Sequence, residues 1–113
     1  MPVTPEYREF VLEQLGRVAP VTSRAMFGGV GIYSDGMIFG LMDDDTTYLK
    51  VDDRNRGAFE AAGMGPFSPY GDGQHVMQYY ELPADLLEDA DALRPWVHGA
   101  LDAARAARRK KKR

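Results

Sequence analysis

The sequence has no cysteine, so disulfide stapling, thiolate catalysis and cysteine-ligated zinc are excluded. Histidine is nearly as scarce. His75 and His98 are the only two, far from the close spacing at which a helix or strand presents paired imidazoles to a metal. No apolar run approaches the roughly 20 residues that a membrane helix needs. The N-terminus shows no basic-then-apolar leader, and Glu6, Glu9 and Glu13 interrupt any signal-like stretch. The expected setting is therefore soluble and cytoplasmic.

Basic residues are also few, except at one end. Of fourteen lysines and arginines, seven (Arg105, Arg108, Arg109, Lys110, Lys111, Lys112 and Arg113) fall in the last nine positions. Residues 1–104 then hold seven basic side chains against all seventeen acidic ones. Such a body repels a phosphate backbone, and only the tail attracts one. What is abundant is apolar: 44% of residues are hydrophobic, enough for one folded core in a chain of 113.

The chain divides into readable segments. Thr4 is placed to cap a helix, Pro5 suits its first position, and Glu6 meets the positive end of its dipole. Tyr7, Phe10, Val11 and Leu15 make its apolar stripe, and Gly16 offers a stop. From Val21 to Asp53 the period becomes two. Thr22–Phe27, Val30 with Ile32, Met37–Met42 and Thr47–Val51 read as four antiparallel strands. Asp35-Gly36 is a type I′ hairpin signal, and Asp43-Asp44-Asp45-Thr46 is a second turn. Asp52 or Asp53 then caps a short helix carrying Ala58, Phe59 and Ala62 and ending at Gly63. A short edge strand is expected at Pro66–Tyr70 and a better one at His75–Leu82. Pro83 opens a helical turn. The last helix carries Leu93, Trp96, Val97, Ala100, Leu101 and Ala104, with Pro95 in its first turn and Trp96 in the core. The order is α-β4-α-β2-α, an α+β fold: a two-layer antiparallel sheet with helices packed on it. One domain is expected over residues 1–104, followed by a basic tail at 105–113 read as a disordered end or a fraying helix.

The segment Arg24-Ala25-Met26-Phe27-Gly28-Gly29-Val30-Gly31-Ile32-Tyr33 superficially suggests a phosphate-binding loop. Such a loop runs from a strand into a helix whose terminal amides hold the phosphate. Here the glycines join strand to strand, and no P-loop lysine follows. They are read as a close backbone approach. Arg24 beside them has two readings, a clamp for an anionic ligand or partner carboxylate, or an ion pair with one of the body's acids. Asp43, Asp44 and Asp45 lack the spaced glycine and distal glutamate of a calcium loop and read as a solvated turn. Ser23, Ser34 and Ser68 have no nucleophile-elbow context.

Several ordered motifs agree with one another: Met26-Phe27-Gly28-Gly29-x-Gly31-x-Tyr33, Tyr48-Leu49-Lys50-Val51-Asp52, Asn55-Arg56 with Phe59, Gly63-x-x-Pro66-Phe67, Tyr79-Tyr80-x-x-Pro83 and Leu93-Arg94-x-Trp96-Val97. Together they resemble the N-terminal domain of the TfoX/Sxy family of bacterial competence regulators, from about Thr4 to Ala104. The resemblance implies a secretion-chaperone-like two-layer fold and a part in transcriptional control of DNA uptake, where family members assist a cyclic-AMP-responsive activator. It implies no catalytic residue and no cofactor. The chain reads as a stand-alone version, without the C-terminal helical domain of the longer regulators.

The functional expectation is a non-enzymatic protein-interaction domain, monomeric or homodimeric, with another protein as partner, a transcription regulator being one candidate. Its candidate contact residues are Arg24, Phe27, Gly28, Gly29, Phe67, Tyr70 and Tyr79. Aromatics of this kind line binding grooves, or else fill the core and rim of the sheet. Two alternatives stand beside it. One is a nucleic-acid accessory protein making non-specific contacts through Arg108, Arg109, Lys110, Lys111, Lys112 and Arg113; the other is a small-ligand module at the aromatic loop.

Overall fold

The computed structural model describes residues 2–26, 28–69 and 77–111. Helix α1 (Pro5–Gly16) starts where the cap signal places it, with Thr4 Oγ1 accepting from the Tyr7 N–H at 3.2 Å. Tyr7, Val11 and Leu15 follow the i, i+4, i+8 line into the core. Phe10 does not join them: it is 41% exposed, about 100° around the helix from Val11. The helix start is also pinned from a distance. Asp45 accepts from the Thr4 N–H at 2.8 Å and from its hydroxyl at 3.0 Å.

Strands β1 (Thr22–Met26), β2 (Gly29–Ser34), β3 (Met37–Asp43) and β4 (Thr46–Lys50) form the antiparallel meander, and β5 (Tyr79–Glu81) joins beside β4. The sheet is open, with five strands in the order β1-β2-β3-β4-β5. Positive φ at Asp35 (50°) and Gly36 (77°), and again at Asp44 (51°) and Asp45 (52°), makes the two tight turns. Aspartate and glycine tolerate that region best. Between Ile32 and Tyr33 the β2–β3 register shifts, Ile32 facing Gly40 and Tyr33 facing Ile38. Phe39 is the extra residue, and the bulge turns its ring, fully buried, into the core.

Register assigns the faces. Val30, Ile32, Gly40, Met42, Thr47, Leu49 and Tyr80 share the helix-bearing side. There α1 and α3 (Ala90–Lys111) pack, the latter through Leu93, Val97, Ala100, Leu101 and Ala104. Arg24, Gly31, Tyr33, Ile38, Leu41, Tyr48, Lys50, Tyr79 and Glu81 lie on the other side.

Four expectations about element bounds and caps need correction. The expected strand at Pro66–Tyr70 is reduced, over its described residues, to one bridge between Pro66 and Tyr80. Proline brings no N–H with which to extend a ladder, so the sheet has five strands, not six. The strand expected over His75–Leu82 is Tyr79–Glu81; Tyr70, His75 and Val76 lie outside the described residues. The cap position of α2 (Arg56–Ala61) is Asn55, not Asp53, which pairs with the Arg56 guanidinium at 2.7 Å, and not Asp52. The Asp52 carboxylate takes the Arg54 N–H at 2.9 Å and the Arg54 guanidinium at 2.7 Å. Those bonds build the turn before the helix, and they hold the Asp52 carboxyl below its ordinary range. Finally, Asp89 caps α3 by accepting from Ala92 at 3.2 Å, which puts Pro95 in the second turn. The bond that proline forfeits there would run to Asp91, on an exposed turn.

A 3₁₀ turn (Ala84–Glu88) follows Pro83 and buries Leu87. Trp96 is half-buried, not core. It meets the ring of fully buried Phe59 edge-on, at 4.8 Å between centroids. Helix α3 continues past Ala104 to Lys111 and carries Arg105, Arg108, Arg109 and Lys110 exposed.

Candidate interaction surface

The expected contact residues fall on two sides of the sheet. Gly28 (φ 83°) and Gly29 turn β1 into β2. A Cβ on Gly29 would lie 2.5 Å from the Met42 carbonyl oxygen, so the close approach read from the sequence is between β2 and the backbone of β3. Both glycines line a groove of about 520 Å³ whose opposite wall is the start of α1: Val3, Pro5, Arg8 and Glu9. Within reach of it, the Arg8 guanidinium donates to Ser23 Oγ at 3.0 Å. Phe27 lies outside the described residues.

Arg24 faces the other way. Its guanidinium sits 5.3 Å from the centroid of the Tyr33 ring, and it has no ion pair among the described residues. The expected pairing with an acid of the body is therefore corrected. The cause is local: Arg24 opposes Gly31, and the space above Gly31 is filled by the Tyr33 ring and the Met26 sulfur. An aromatic face, not a carboxylate, is what the site offers the cation.

The same face continues into an aromatic row. Phe67 packs on Tyr48 with centroids 4.8 Å apart, and the Lys50 ammonium stands 5.0 Å from the Tyr79 centroid. Tyr79 is only 5% exposed. Burial, with a smaller contribution from Tyr33, pushes its phenol up to about 12. Burial likewise raises Tyr48, helped by Glu81, Asp43 and Asp44. Arg24, Phe67 and Tyr79 thus share one face, while Tyr70 lies outside the described residues. Tyr33, Tyr48 and Lys50 belong to that face but were not among the expected contact residues; their alternation with Ile32 and Leu49 was the available signal.

The chemistry on these surfaces is that of contact. Among the described residues no three His, Cys, Asp or Glu side chains gather to hold a metal ion. The Asp43–Asp45 tip spends Asp45 on Thr4, and His98 is exposed on α3. Among the described residues no helix is long and apolar enough to cross a membrane.

No curated protein matches the chain. Residues 13–104, however, match the model of the TfoX N-terminal domain over a span that takes in the last turn of α1, the whole sheet and most of α3. That domain is a non-catalytic regulatory module, in keeping with a surface of stacked rings rather than a reactive centre. On this match, the chain belongs to the TfoX N-terminal domain family.

Proposed function

We propose that this domain acts in the cytoplasm as a non-enzymatic docking module for another protein, a transcription regulator being the partner that the TfoX/Sxy relationship suggests. The observation that carries this reading is the face of the sheet opposite the helices. Its aromatic row (Tyr33, Tyr48, Phe67 and Tyr79) ends in the cation of Arg24. Aromatic and arginine side chains are the types most enriched where proteins meet. A secretion-chaperone-like arrangement, with helices on one side of the sheet, is in keeping with such a use. Residues 1–104 are the docking unit in this reading, and residues 105–113 are an appended basic segment.

Co-purification from native cytosol tests it. The wild-type chain should retain a specific protein that Arg24→Glu combined with Phe67→Ser releases, while the variant still unfolds cooperatively. Equal retention by both chains, or robust hydrolase or transferase turnover, would overturn the proposal.

One observation favours a second reading. Past Ala104, α3 carries Arg105, Arg108, Arg109 and Lys110 into solvent, although Arg105 is shared with Asp102 at 3.0 Å. This end is suited to non-specific contact with nucleic acid, which Lys111, Lys112 and Arg113 would extend. Binding should then fall steeply with salt and vanish on deletion of residues 105–113. Salt-insensitive binding, or binding by the truncated chain, removes this reading.

A further inference from the structure

The fold treats the two edges of its sheet differently. Beside β5 the chain lays down Gly65–Phe67. The Phe67 N–H donates to the Tyr79 carbonyl at 2.7 Å, and the Glu81 N–H donates to that of Gly65 at 3.0 Å. Beside β1 no described residue does the same. Strand parity identifies the groups left over. Ser34 and Met37 close a two-residue hairpin and exchange their backbone bonds with each other, so along β2 every second residue from Tyr33 turns to β1. Thr22, Arg24 and Met26 accordingly spend their backbone groups on β2. Those of Ser23 and Ala25 point away from the sheet.

The geometry points to β1 as the docking edge for an extended segment of a partner protein, one that carries an acidic residue between two apolar ones. This deepens the docking reading above and rests on it. An added antiparallel strand bonds to Ser23 and Ala25, and the residue between those bonds stands opposite Arg24 in a non-hydrogen-bonded pair, where side chains approach most closely. Arg24 is the one charged side chain of β1 and has no carboxylate among the described residues. An acid at that position completes it. The flanking residues of the added strand point to the helix-bearing side. Next to Ala25 they meet the groove beneath α1, where Val3, Pro5 and Val30, flanked by Arg8 and Glu9, accept a compact apolar side chain. A second copy of the chain fits less well. Pairing two β1 strands so that both Ser23 and Ala25 are used sets Arg24 against the Arg24 of the other copy, and like charges directly opposite repel.

The probe is the peptide acetyl-Thr-Val-Glu-Val-Thr-amide, followed by amide chemical shifts in the full chain. Binding should move the amides of residues 22–26. N-methylation of the two valines, whose N–H groups would face β1, should abolish it, whereas N-methylation of the glutamate, whose N–H would face solvent, should not. Replacing that glutamate by lysine should weaken binding about five- to tenfold, and Arg24→Glu should reverse the preference. Binding that ignores valine methylation, shifts confined to residues elsewhere, or no binding at millimolar peptide would overturn the inference. So would a concentration-dependent dimer that protects residues 22–26. Amide exchange on a partner captured from cytosol separates the two proposals. Protection around Phe67 and Tyr79 with free exchange at 22–26 sinks the edge and leaves the docking face standing.

Discussion

The Tyr7 phenol on α1 and the Thr47 hydroxyl on β4 lie 2.7 Å apart, joining helix to sheet across 40 residues of chain. Thr47 is 2% exposed, so its hydroxyl depends on that phenol. Tyr7→Phe should therefore cost about 1–2 kcal/mol in urea unfolding, chiefly the penalty of a buried hydroxyl left alone. Adding Thr47→Val should restore much of the loss, and a double-mutant cycle reads the coupling directly. Additive losses would show that the bond contributes little.

Tyr79 predicts an alkaline limit to stability. Its phenol titrates near 12 in the folded protein, against 10.0 for the ordinary group. The raised value means that the unfolded chain releases this proton first. Stabilisation is complete below pH 10 and is lost as pH climbs towards 12, for a total of about 2–3 kcal/mol. Tyr79→Phe should flatten the slope of stability against pH in that window. Burial raises Tyr7 as well, so some slope should survive the substitution.

Glycine substitutions should divide by what a methyl group would meet. At Gly29 it would strike the Met42 carbonyl at 2.5 Å, and backbone does not yield as a side-chain tip does. Gly29→Ala should destabilise by roughly 1–3 kcal/mol. At Gly57, in α2, nothing lies within 4 Å. Gly57→Ala should raise the melting temperature, in line with a gain of about 0.5–1 kcal/mol in helix preference.

Phe59 and Trp96 touch edge-to-face but should not weigh equally. Phe59 is 1% exposed and sits inside the core, whereas Trp96 covers it from the half-open side. Phe59→Ala should cost about 3–5 kcal/mol. Trp96→Ala should cost distinctly less in the same chemical denaturation series, and the reverse order would mean that the indole bears the packing.

Much of this architecture was legible because local signals and long-range partners agree. Thr4 and Pro5 mark the start of α1, and Asp35-Gly36 marks a hairpin. Gly29 fits only where strands approach closely, and Gly28 supplies the positive φ of the turn before it. Other features depend on neighbours that no local window contains. The run Met37–Met42 is apolar almost throughout, so alternation could not say which residues face the helices, and the bulge was invisible. Phe10 and Val11 look equally suited to burial, and the line chosen by Tyr7 and Leu15 decides between them. Arg24 and Gly28 are close in sequence yet serve opposite sides of the sheet, because a strand alternates and a turn does not. The Asp43–Asp45 tip reads as solvated, but Asp45 holds the start of a helix 41 residues away.

Phe39 stands outside the pairing count of β3. Take it away, and Gly40 still meets Ile32 while Ile38 still meets Tyr33, now on an unbroken ladder. One of the bulkiest residues of the interior therefore comes from a position that the sheet can do without. The ladder sets no demand on residue 39, and its size is fixed by the packing of the interior alone.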